Sequence, residues 1–215
     1  MTVQQQCENL NAAVRQFAQG TNLNFFDDSG NPLPLSVSFP QLGGAPNTVP
    51  GVTPTLAGGA MLMVQANGPL ANAVQIGSAQ LTTNGKISGF VIFRYQPNGQ
   101  EAVVPLEGRN AGAYVLAFDN TGGTATGIAV NSVSAQAVSV PVIVRNDAGA
   151  QIATGNIALA ANGHSAFTLG ADQFLAAAGI RGTIEFDAPA GAQIGALGIR
   201  IPIAHTFTTL PALTK

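Results

Sequence analysis

His164 and Ser165 stand side by side in the segment Asn162-Gly163-His164-Ser165-Ala166, and an imidazole beside a hydroxyl is the smallest arrangement from which a serine nucleophile can be built. The surroundings argue against that chemistry. The segment lacks the second glycine of a G-x-S-x-G elbow, and it is flanked by two strand-like stretches rather than by a strand and a helix. His205 can join the dipeptide only through the fold. A structural or solvent-exposed pair after a turn is the leading reading, with a serine nucleophile as the alternative.

Carboxylates are the other place to look for hydrolysis. Glu101, Glu107, Asp119, Glu185 and Asp187 fall in strands or at strand ends. A glycosidase needs two carboxyls at a defined separation across a cleft, and Glu185 with Asp187 is the pair kept for it. Asp27, Asp28 and Asp147 lie in turn sequences, where aspartate caps its own backbone. Calcium could be held by Asp27, Asp28 and Asn31, or by Asp119 and Asn120, although no D-x-D-x-D-G loop is present. Two histidines and one cysteine without short ligand spacing exclude a standard zinc site. No cofactor signature is found, so none is expected. For sugar binding by stacking the chain has no tryptophan and only Tyr95 and Tyr114, while most phenylalanines occupy inward strand positions.

Composition narrows the partners. Charged residues make up 8% of the chain, against about 25% in ordinary soluble domains, so hydroxyls and amides rather than charges solvate the surface. A net charge of −2 and two lysines, Lys86 and Lys215, leave no basic stripe for phosphates, and nucleic acid is excluded as an expected partner. No apolar run approaches the roughly 18 residues that span a bilayer. The start MTVQQQ has neither the basic nor the apolar region of a signal peptide. The Lys-poor, Thr/Asn/Gly-rich texture still suggests an extracellular or cell-surface protein whose export signal is not part of this chain. The lone Cys7 cannot form an internal disulfide.

The 215 residues suffice for one large β domain or two small ones, with a core that needs no metal or disulfide. Val3, Cys7, Leu10, Val14 and Phe17 fall on one helical stripe, which predicts an amphipathic helix over residues 2–19 with Gly20 as its stop. From Leu23 the pattern is β. Residues 23–26 and 33–39 read as a hairpin around the turn Asp27-Asp28-Ser29-Gly30-Asn31-Pro32, and residues 40–58, with four prolines, as an irregular loop. Strands are expected at 60–65, 75–82, 86–95 and 100–106, then at 113–120, 126–131, 137–145, 166–169, 182–186, 193–201 and 207–212. A helical turn or two is expected within 170–179. The stretch KISGFVIFRY is continuously apolar at its centre and reads as a strand buried on both faces.

The second half replays the first. QIGALGIRI repeats KISGFVIFRY, with Phe90 on Leu197 and Ile92 on Ile199, and FTTLPA repeats EAVVPL, with Pro105 on Pro211. Ala60 and Met61 stand at the place of the His164-Ser165 turn, so the fold does not require that dipeptide. Two strands at 113–120 and 126–131 have no counterpart in the first half. The shortfall leaves edges and apolar surface to be covered by the N-terminal helix, the proline-rich loop or a second chain.

The motifs LNFFDDSGNPL, ISGFVIFR, EAVVPLEG, AFDNTGG, ANGHSAF and RGTIEF together resemble an uncharacterised β-sandwich module, often in tandem, of exported proteins of soil bacteria. The likeness covers roughly residues 23–213 and implies an immunoglobulin-like sandwich with an extracellular address; it implies no activity. Such modules usually carry a further strand before the LNFFDD segment, and residues 1–20 depart from that.

These readings combine into an all-β chain: a duplicated antiparallel β-sandwich with immunoglobulin-like halves and one short N-terminal helix. The helix occupies 1–20, an incomplete first half 21–108 and the second half 109–215. The function expected is a non-enzymatic structural or interaction module that binds itself, as a homo-oligomer, or another surface protein. The alternatives are a secreted hydrolase of esters or polysaccharides using Ser165, His164, His205, Glu185 or Asp187, and a glycan-binding module.

Overall fold

A computed structural model describes residues 19–66, 76–95, 99–203 and 206–215, and these are β almost throughout. The helix expected over 2–19 lies outside them, except that Gln19 and Gly20 already belong to the first strand. The described chain forms two compact units: one runs to Phe26 and resumes over Pro32–Ile87, and the other is Asp27–Asn31 together with Ser88–Lys215.

The first unit is built around β1 (Gln19–Asp27). Short strands follow: β2 (Leu35–Ser38), β3 (Asn47–Val49), β4 (Gly51–Val52), β5 (Thr55–Leu56), β6 (Gln65–Ala66) and β7 (Gly77–Thr83). β1 pairs with β4, β5 and β7, while β2 pairs with β3 and β6. The proline-rich residues 40–58 are therefore not an irregular loop. Their prolines lack a donor but keep a carbonyl, and Thr21 N–H donates to Pro54 O at 3.1 Å and Phe25 N–H to Pro50 O at 2.9 Å. Each paired piece is only two or three residues long, too short to show a period. The hairpin expected between 23–26 and 33–39 is also corrected. Beyond the Phe26–Pro32 bridge and the bond from Leu33 N–H to Phe25 O, β2 turns away to other partners. Of the strand expected at 60–65 only β6 forms.

In the second unit β8 (Phe90–Tyr95) and β9 (Gln100–Pro105) make a hairpin. The strands after it are β10 (Ala113–Asp119), β11 (Ala125–Ser132), β12 (Val138–Asn146), β13 (Gln151–Leu159), β14 (His164–Leu169), β15 (Arg181–Asp187), β16 (Ile194–Ile201), β17 (Thr208–Pro211) and β18 (Leu213–Thr214). They form an antiparallel sandwich of one sheet ordered β13-β12-β15-β10-β18 and another ordered β14-β11-β16-β17. Alternation places Tyr114, Leu116, Phe118, Val140, Val142, Val144, Ile184 and Phe186 of the first sheet against Ile128, Val130, Phe167, Leu169 and Ile194 of the second, all buried. At Gly182 the packing leaves no room for a side chain, because a Cβ would lie 1.8 Å from Arg145 O on β12. The helical turn expected within 170–179 is a single 3₁₀ turn, Leu175–Ala177.

One correction bears directly on function. β8 is not buried on both faces: Phe90 is 65% exposed, Ile92 52% and Phe93 53%. Among the described residues its only ladder partner is β9. The described residues do not show the expected duplication; two ladders share a register. Phe90 faces Pro105 and Ile92 faces Val103, as Leu197 faces Pro211 and Ile199 faces Thr209 in β16–β17.

Candidate functional site

The turn Asp27–Asn31 seats against the start of β14 and brings together several of the residues singled out above. Gly30 turns the chain at φ +79°, and a Cβ there would lie 1.8 Å from Ala161 O, so the close approach requires glycine. Asp27 accepts Asn31 N–H at 2.8 Å on one carboxylate oxygen and the Asn31 side-chain amide at 3.2 Å on the other. These bonds to Asn31 hold the Asp27 carboxyl below its usual pKa. Asp28 turns the other way: its carboxylate lies 2.9 Å from His164 Nδ1, and its carbonyl accepts His164 N–H at 3.2 Å. Of the three residues considered for calcium, Asp27 is bonded to Asn31 and Asp28 to His164. Among the described residues no group of three or more His, Cys, Asp or Glu side chains converges on a point that could hold a metal.

A carboxylate on Nδ1 is how a catalytic histidine is oriented, but the nucleophile is not in line. Successive strand residues point to opposite faces. Ser165 therefore shares the side of the buried Phe167 and Leu169, whereas His164 points to the other, where its side chain is 9% exposed. His205 lies outside the described residues.

Glu185 and Asp187, two apart on β15, share a face and a cation. Glu185 accepts from Arg145 Nε at 2.8 Å and from Lys215 Nζ at 2.9 Å, and Lys215 Nζ lies 3.2 Å from Asp187. The bonds to Arg145 and Lys215 push the Glu185 carboxyl below its ordinary range. A glycosidase acid needs the opposite shift. Asp119, at the end of β10, takes Thr121 Oγ1–H at 2.6 Å and Thr121 N–H at 3.0 Å and pairs with Arg181 at 3.2 Å; its pKa falls to about 2. Glu107 binds Arg109, whose guanidinium lies over the Tyr114 ring at 5.4 Å. Tyr114 is fully buried, with its hydroxyl accepting Ala111 N–H at 3.2 Å, so it offers no platform for a sugar. The side chain of Tyr95 lies outside the described residues.

No family model, curated protein or solved structure matches this chain. The candidate site accordingly rests on geometry. Two shallow depressions lie in the first unit. One, of about 460 Å³, is lined by Thr21, Asn22, Thr82, Thr83 and Asn84 among others; the second, of about 670 Å³, by Phe39, Leu42, Leu56, Met61 and Leu62 among others. No acid or base lines either.

The feature that composition and motifs missed is the face of the β8–β9 hairpin. Cross-strand pairs share a face, so Phe90 with Pro105, Ile92 with Val103 and Arg94 with Glu101 form one surface, apolar along its length and closed at one end by the Arg94–Glu101 pair at 4.0 Å. Val103 is 51% exposed. In the sequence, the two strands that the first half lacks relative to the second point to an uncovered edge of this kind.

Proposed function

We propose that the protein is a non-enzymatic structural or interaction module of the cell surface or extracellular space, an immunoglobulin-like sandwich that associates with copies of itself. The observation that carries this reading is the β8–β9 hairpin, which exposes Phe90, Ile92 and Val103 on one face and Val91 and Phe93 on the other. Contiguous apolar surface of this kind marks association sites on soluble proteins. Support also comes from the described ionisable groups of the would-be active sites, which are engaged in pairs that fasten turns and strand ends. The low charge and the module-like motifs support the exported setting.

Size-exclusion chromatography with light scattering tests it. The full chain is expected to run as a dimer or larger species at tens of micromolar. A strict monomer at high concentration would reject it.

A further inference from the structure

We propose that β8 pairs antiparallel with β8 of a second copy, about a two-fold axis through Ile92, to form a four-stranded sheet β9-β8-β8-β9. This rests on the reading of the protein as a self-associating module and names the strand and the register.

Four observations converge on this edge. First, β8–β9 has the register of β16–β17, and β16 uses its other edge to pair antiparallel with β11 over the whole of Ile194–Ile201. The corresponding edge of β8 has no partner among the described residues.

Second, other edges of the second unit carry protection that β8 lacks. At β13, a Cβ on Gly155 would lie 2.9 Å from the Phe174 ring, so that ring covers the strand. β14 gives His164 N–H to Asp28 O and Thr168 N–H to the Asp172 carboxylate, and β17 ends in Pro211.

Third, the sequence of β8 is complementary to itself in the antiparallel sense. With Ile92 opposite Ile92 of the second copy, Val91 faces Phe93 and Phe90 faces Arg94, which gives two aromatic–β-branched pairs and two cation–π pairs. A parallel, in-register pairing would set Arg94 against Arg94. Fourth, the hairpin is apolar on both faces, with Phe90, Ile92 and Val103 exposed on one and Val91, Phe93 and Leu106 on the other, so a sheet extended through β8 continues an apolar surface on either side of the seam.

The test uses the full chain with Cys7→Ser as background. Residues directly opposite across an antiparallel pair lie close enough for a disulfide. Ile92→Cys is expected to cross-link as a dimer on mild oxidation, and Phe90→Cys alone is not. An equimolar mixture of Phe90→Cys and Arg94→Cys is expected to give mixed dimers. Independently, Ile92→Lys sets like charges across the axis and is expected to raise the dissociation constant tenfold or more. A chain that light scattering shows to be dimeric, yet that neither cross-links at Ile92 nor responds to Ile92→Lys, overturns the β8 pairing while leaving self-association intact. A chain that stays monomeric overturns both. Binding of a synthetic peptide of residues 125–132 to a monomeric chain would instead assign the edge to a donated strand resembling β11.

Discussion

Asp119 shows how the acidic residues of this chain are used. Both Thr121 donors and the Arg181 guanidinium favour its ionised form, and its folded pKa of about 2 lies below the value near 3.9 of a free aspartate. A depressed folded pKa contributes stability above the unfolded value and loses it as the pH falls through the folded one. The wild-type chain is therefore expected to lose stability between about pH 4 and pH 2. Asp119→Asn should flatten that part of the profile, as followed by thermal unfolding across the range. Lys215 works in the opposite direction. Its pKa is raised by Glu185 and Asp187, so its contribution holds below the ordinary lysine value and fades as the pH climbs above it. Gly30 supports the turn by geometry rather than charge. Gly30→Ala combines a positive φ with a 1.8 Å clash against Ala161 O and should lower the melting temperature by several degrees. Little of this could be read from the sequence, because Asp28 and His164 stand far apart along the chain and meet only through the seating of a turn.

At the scale of elements, most strands of the sandwich are legible because their burial alternates; β13 is not among the expected strands, and its first half shows no such alternation. β11, with every second residue buried, and β15, with Ile184 and Phe186 inward, carry a period of two that leaves no other reading. Phe186 sits in the middle strand of its sheet with no exposed surface, and Phe186→Ala should cost about 3–5 kcal/mol in denaturant unfolding. The elements that were not legible share a physical cause. β3, β4 and β5 are two or three residues each, cut by prolines that still accept hydrogen bonds through their carbonyls. β8 departs from its expected burial for a different reason. A run of Phe, Val, Ile and Phe implies that both faces are covered, but it does not say by what, and here the cover is not within the described residues. The candidate dipeptide His164-Ser165 failed on an equally simple rule, since neighbours on a strand face opposite ways.

For the whole molecule, the balance of apolar surface decides the outcome. The second unit closes its own core, yet it carries a hairpin whose register matches one that is fully incorporated in the sandwich. A strand so placed gains by finding a partner, and its self-complementary order favours another copy. The measurement that bears most directly on this is hydrogen exchange of the amides of residues 90–95 as a function of protein concentration. Pairing of β8 across a two-fold axis requires its protection to rise with concentration and to fall back to the dilute level in Ile92→Lys. Protection that is the same at every concentration, in a chain that nevertheless associates, would show that the copies meet elsewhere.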